Sequence, residues 1–166
     1  PVKKKKPDLY FLSRATETVA KYLSKKSIVV YESTVYPGIT ENFCGNILSK
    51  VSKLKYKKDF FLAYSPERIN PGDKKRTIDK ITKVIGASDK KTLKKICEIY
   101  QSFLGNNIYK ATSIAVAEAA KVIENSQRDI NIAFMNEIKN IFDKGGIDIY
   151  EILDAAKTKW NFLNFE

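Results

Sequence analysis

The chain has 166 residues, with 30 lysines and arginines against 19 acidic residues and a formal net charge of +11. A hydrophobic fraction of 43% with only 7 glycines and 5 prolines is that of a chain able to bury a core, which excludes disordered and collagen-like classes. The absence of histidine removes Ser-His-Asp, Cys-His and His-zinc chemistry from these residues, and no metal site is expected.

The opening lysine run, Lys3 to Lys6 between Pro1 and Pro7, reads as a solvated loop. Asp8 or Ser13 is then placed to cap a helix running to Lys25, with Leu12, Ala15 and Val19 at helical spacing. Ser27 to Tyr31 is a short β-branched run of the kind buried on both faces of a parallel sheet. Pro37-Gly38 breaks the chain, Thr40 offers a cap, and Glu41 to Val51 resumes helical periodicity through Phe43, Cys44, Ile47 and Leu48. Phe60 to Tyr64 is the next strand, ended by Ser65-Pro66, and Arg68 to Lys80 is polar and loop-like. Ile81 to Ile85 predicts a further strand closed by Gly86, Ser88 or Asp89 a helix cap before a helix to Leu104, and Asn107 to Tyr109 a last short strand. This alternation predicts the doubly wound α/β class, with a largely parallel sheet covered by helices.

From Ser113 to Lys144 the pattern becomes one helical segment without Pro or Gly, stopped by Gly145-Gly146. At 1.5 Å per residue it would run roughly 45 Å, which predicts a connection between two domains. Its apolar stripe of Val116, Ala120, Ile123, Ile130, Phe134, Ile138 and Ile141 must pack on the sheet domain or on a second copy, and a homodimer is the expectation. Asp148 then starts a shorter helix to Lys157.

Cys44 and Cys97 stand outside any C-x-x-C spacing and read as buried thiols in a reducing compartment. No apolar stretch approaches the ~20 residues that span a bilayer, and no signal-peptide pattern follows the start, so a cytoplasmic protein without a membrane partner is expected. Arginine occurs only at positions 14, 68, 76 and 128, and lysine is spread over nearly every segment. Nucleic-acid faces cluster their cations and use arginine, so no nucleic-acid partner is expected, while the charge favours a small anionic ligand. The first residue is Pro rather than Met and no tail follows the last helix, which reads as an interior fragment.

Three segments carry candidate chemistry. Lys121, Asn125 and Arg128 are spaced i, i+4, i+7 and share one side of the long helix, after the small residues Ala117, Ala119 and Ala120 that permit close approach. Ser33 and Thr34 follow one predicted strand and Glu67 and Arg68 follow the next, at the carboxyl strand ends where open α/β sheets bind ligands. Taken singly, each pattern is better read as a solvated helix face or an ordinary turn. Together they are able to converge on one crevice.

The segments Glu32-Ser33-Thr34-Val35-Tyr36-Pro37-Gly38, Tyr64 to Gly72 (through Ser65-Pro66-Glu67-Arg68-Ile69-Asn70) and Ala119 to Asp129 closely resemble the nucleotide-sugar dehydrogenases. With Thr158-Lys159-Trp160-Asn161-Phe162, the wording is most similar to the UDP-N-acetyl-hexosamine 6-dehydrogenases, and the resemblance runs in order over nearly the whole chain. It implies that residues 1–112 are the C-terminal half of a Rossmann NAD-binding domain and residues 113–166 the start of a central helical dimerisation domain. It also implies oxidation of the sugar C6 alcohol of a UDP-N-acetyl sugar to a carboxylate by two NAD+, for surface polysaccharide biosynthesis, through a thioester on a cysteine. Neither Cys44 nor Cys97 matches that cysteine, whose segment is expected after Phe165, and the glycine-rich pyrophosphate loop is expected before Pro1, so the chain by itself is expected to be inactive.

Residue by residue, the resemblance gives Lys121 and Asn125 oxyanion stabilisation and the ordering of water, and gives Thr34, with Ser33, a place beside the nicotinamide, where Thr34 also helps to position the hydrolytic water. To Glu67 it gives acid–base work in thioester hydrolysis, and to Arg68, Ile69, Lys121, Asn125 and Arg128 substrate contact. Arg68 beside Glu67 is expected to keep that carboxylate ionised. Relatives acting on UDP-glucose carry a second acid where this chain has Pro71, which favours the N-acetyl branch. Lys159 is read as taking the place of a substrate-contacting arginine. Two other readings remain from the residues alone. A 3-hydroxyacid or 6-phosphogluconate-type dehydrogenase also sets Lys-x-x-x-Asn on a long helix, and a lysine-rich nucleic-acid module would show strongly salt-dependent binding.

Overall fold

The computed structural model describes residues 2–70, 72, 74, 75 and 77–163. The chain forms two compact units, Pro1–Val122 and Ile123–Glu166. The first is of the α/β class. It opens on a small antiparallel hairpin, β1 (Val2–Lys3) and β2 (Lys6–Pro7), turned by Lys4 and Lys5 with φ of 51° and 61°. The lysine run is exposed, as expected of a loop, but it is paired.

α1 (Tyr10–Lys21) leads to β3 (Ile28–Tyr31). Asp8 receives the Tyr10 N–H at 2.9 Å. Ser13 lies within the helix, and the helix stops four residues before Lys25, at a turn in which the Ser24 and Ser27 hydroxyls meet at 3.0 Å. A π-helical turn over Ile39–Cys44 runs into α2 (Gly45–Ser52). Its start is Gly38, at φ 94°, and not Thr40, which is buried inside the turn with no hydrogen-bond partner for its hydroxyl among the described residues. β4 (Phe61–Tyr64), β5 (Lys83–Ala87), α3 (Lys90–Leu104) and β6 (Ile108–Lys110) complete the unit, with Asp89 accepting the Thr92 N–H as the α3 cap.

The four strands lie in the order β3-β4-β5-β6. β3 pairs parallel with β4 and β5 parallel with β6, but β4 and β5 are antiparallel, Tyr64 standing opposite Gly86. The expectation of a largely parallel sheet is corrected at this one pair. Parallel neighbours need a crossover, usually a helix, and between β4 and β5 the chain supplies only a polar loop, so it returns along the strand it has just left. β5 also begins two residues later than its apolar run suggests, and contains Gly86.

Side chains alternate across the sheet with period two. Val29, Tyr31, Leu62, Tyr64 and Val84 face a core with Leu12 and Ala20 of α1, Leu48 of α2, and Ile114 and Ala117. Ile28, Val30, Ala63 and Ile85 face α3 through Ile96 and Cys97. Both cysteines are free and buried.

α4 (Ile114–Lys144) starts in the first unit, where its first turn presses on β5: a Cβ on Gly86 would stand 2.4 Å from the Ser113 carbonyl oxygen and 2.9 Å from the Ile114 Cα. Backbone cannot yield as a side chain does. Gly86→Ala is therefore expected to cost about 1–3 kcal/mol, the usual penalty of overpacking, read as a lowered thermal midpoint. An unchanged midpoint would show that α4 is free to shift there.

The second unit holds the rest of α4 and α5 (Ile149–Ala156), capped by Asp148 through the Tyr150 N–H. Within it Ile123, Ile130, Phe134 and Ile141 are exposed. No helix among the described residues is long and apolar enough to cross a membrane.

Candidate functional site

The first unit sets two loops side by side at the carboxyl ends of β3 and β4. Beyond Tyr64 the chain keeps pairing with the β3 side: the Ser65 N–H donates to the Tyr31 carbonyl at 2.9 Å and the Glu67 N–H to the Glu32 carbonyl at 3.2 Å. Ser33 and Thr34 on one loop and Glu67, Arg68 and Ile69 on the other are thereby brought to one edge.

Ser33 and Thr34 line a cavity of about 520 Å³ whose other walls are mostly apolar, including Leu9 and Leu12 at the start of α1, Val35, and Val122 on α4, with Asp8 and Tyr36 also in the lining. An apolar pocket of this size with a few hydroxyls is the usual form of a small-molecule site. Lys121, beside Val122, is half-buried and has no hydrogen bond or ion pair among the described residues. Asn125 and Arg128 belong to the second unit, where the Arg128 Nη2 donates to the Asn125 Oδ1 at 2.8 Å. The amide oxygen is thus engaged, and the Asn125 Nδ2 hydrogens are the ones left to donate.

Glu67 is held at one oxygen by its own loop, its Oε1 accepting the N–H groups of Arg68 at 2.7 Å and Ile69 at 2.8 Å. Its Oε2 lies 3.9 Å from the Nζ of Lys83. The Arg68 guanidinium donates to the Thr82 carbonyl at 2.8 Å, so the cation measured against Glu67 is Lys83 and not the sequence neighbour. Pro71 lies outside the described residues.

Four residues escaped the sequence reading. Lys83, the first residue of β5, is buried and lies 2.9 Å from the Glu32 Oε1, which also accepts the Tyr100 hydroxyl at 2.6 Å. Burial works against the charge of Glu32, but the Tyr100 hydroxyl and Lys83 outweigh it and hold this carboxyl below its ordinary value. Burial and Glu32 together push the Tyr100 phenol up. Glu118, on α4, is fully buried and accepts the Gly38 N–H at 2.6 Å and the Thr40 N–H at 2.9 Å. It satisfies the first free N–H groups of the following helix and places a negative charge at the positive end of the helix dipole. The available signals were slight: a lone acid in a run of small residues, and a lone lysine opening an apolar strand.

A family model described as the UDP-glucose/GDP-mannose dehydrogenase family, NAD binding domain, matches residues 1–104, and the central domain of the same family matches residues 105–165. The chain is 56% identical to Protein CapL of Staphylococcus aureus, over 99% of this chain and 39% of that protein. It is 51% identical to a UDP-N-acetyl-D-glucosamine 6-dehydrogenase of Pseudomonas aeruginosa, over 97% of this chain and 38% of that protein. It therefore spans under two-fifths of the length of these relatives. Among solved structures, a UDP-D-ManNAc dehydrogenase from Pyrococcus horikoshii superposes with a TM-score of 0.86 at 33% identity, covering 98% of this chain and 38% of that one.

Proposed function

Because the chain belongs to the UDP-glucose/GDP-mannose dehydrogenase family, we propose that the whole protein carrying it is an NAD-dependent UDP-N-acetyl-hexosamine 6-dehydrogenase, cytoplasmic and homodimeric, serving surface polysaccharide synthesis. Residues 1–112 are assigned to the C-terminal half of the NAD-binding domain and 113–166 to the start of the central dimerisation domain. The observation that carries the reading is the meeting of the Ser33-Thr34 and Glu67-Arg68-Ile69 loops at one sheet edge, beside the apolar cavity that Val122 of α4 helps to close. The exposed apolar stripe of α4 supports the dimer.

The mostly apolar lining with the Ser33 and Thr34 hydroxyls suits a nicotinamide, which these residues would hold; Asp8 also lines the cavity. NAD+ bound there would supply hydride acceptance. The remaining roles fall to this chain. Lys121 and the Asn125 amide donate to the oxygen that gains charge as the C6 alcohol is oxidised. Glu67, fixed at one oxygen by its own loop and facing Lys83 with the other, orients and deprotonates the water that completes the carboxylate. Arg68, Ile69 and Arg128 contact the substrate, an anion suited to the net charge of +11. One alcohol, one water and two NAD+ give one carboxylate, two NADH and three protons.

The test is NADH production by the whole protein offered UDP-N-acetylglucosamine, UDP-N-acetylgalactosamine, UDP-N-acetylmannosamine and UDP-glucose in parallel. Two NADH per sugar with an N-acetyl substrate is the expected result. One NADH per sugar, or activity on UDP-glucose alone, would overturn it.

A further inference from the structure

Lysine usually lies with its stem on apolar surface and its ammonium in water. Lys83 does otherwise: its side chain is only 8% exposed, although it stands at the end of a strand where solvent is near. It points to the α3 side of the sheet, the side of Ile85, and its Nζ sits 5.4 Å from the centroid of the Tyr100 ring. A buried ammonium needs charge partners to offset lost hydration. It has two, Glu32 Oε1 at 2.9 Å and Glu67 Oε2 at 3.9 Å, each carboxylate half exposed. The Tyr100 hydroxyl fixes the Glu32 end by donating to the same Oε1. Lys83 is thus held firmly from the Glu32 side and faces Glu67 at slightly more than hydrogen-bond length.

Glu67 has two unlike oxygens. Oε1 is committed to the N–H groups of its own loop, and Oε2 is the one able to act on a ligand or water. The only cation measured against Oε2 among the described residues is Lys83. We propose that Lys83 is a positioning residue for Glu67, its ammonium, anchored by Glu32 and Tyr100, fixing the direction of the working oxygen. The inference rests on the reading that Glu67 does acid–base work in the hydrolytic half of the reaction. A purely structural lysine would tie β5 to the neighbouring loops and nothing more.

The experiment is a set of variants of the whole protein, followed by rapid mixing with NAD+ and whichever UDP-N-acetyl-hexosamine yields NADH in the panel above. Lys83→Met is expected to slow steady-state turnover about tenfold, to leave the first NADH per site formed at the parent rate, and to change KM less than threefold. Lys83→Arg is expected to restore most of the loss. The double variant Lys83→Met/Glu67→Gln is expected to be no slower than Glu67→Gln alone, because one residue acts through the other. Parent-like turnover of Lys83→Met, or a loss that multiplies with that of Glu67→Gln, would overturn the proposal. Should Lys83→Met fail to fold, Glu32→Gln removes the anchor instead, and the same slowing with an intact first NADH is expected; parent-like turnover there counts against the proposal equally. A Glu67→Gln variant as fast as the parent defeats the role given to Glu67, whereas a slow Glu67→Gln beside a fast Lys83→Met defeats the role of Lys83 alone.

Discussion

Lys121→Ala in the whole protein is expected to lower kcat about 10²–10³-fold while KM for the nucleotide sugar stays within about tenfold, the cost of losing one donor to an oxyanion. The argument is one of position. Lys121 is half-buried, carries no partner among the described residues and adjoins Val122, which lines the cavity with Ser33 and Thr34. An ammonium without a fixed partner in the resting protein is available for charge that appears only during reaction, and such an interaction raises kcat more than it tightens substrate binding. Parent-like turnover of this variant would remove Lys121 from the chemistry. A large rise in KM with kcat unchanged would make it a binding residue instead.

Glu118→Ala is expected to destabilise the protein by about 3–5 kcal/mol and Glu118→Gln by about 2 kcal/mol, read from denaturant midpoints at unchanged slope. Alanine leaves the buried Thr40 N–H and the partly buried Gly38 N–H without their acceptor and opens a cavity at a fully buried position. Glutamine keeps one acceptor and turns an NH2 toward the other N–H. Because whole domains are stable by only about 5–15 kcal/mol, the alanine variant gives up a large share. Equal midpoints for Glu118→Gln and the parent would mean that one oxygen suffices for both N–H groups.

What was legible in the residues was whatever short stretches decide for themselves. β3 and β4 are each within one residue of the predicted span because their apolar runs are bounded by polar turns, and Asp89 and Asp148 do cap α3 and α5. The long uninterrupted helix was equally plain, since nothing between Ser113 and Lys144 breaks it. The direction of β5 was not legible, because strand direction depends on which neighbour accepts its hydrogen bonds, and no local pattern carries that. The start of the turn before α2 was misread for the same reason: its free N–H groups go to Glu118, 80 and 78 positions away, and not to a nearby hydroxyl. That Ser33, Thr34 and Glu67 lie at one sheet edge was legible from their places after strands. Lys83 and Glu32 were not, since a charge is recognised as buried only when the groups that cover it are known.

The reversal between β4 and β5 has a consequence for the rim itself. In an all-parallel sheet only the last residues of strands and the loops after them reach the ligand-binding edge. Here β5 runs the other way, so its first residue arrives there, and that residue is Lys83. Inversion of β5 and β6 relative to β3 and β4 has given this edge a cation mounted on sheet backbone, whose aim is set by cross-strand pairing and does not shift when the loops around it lengthen or change sequence.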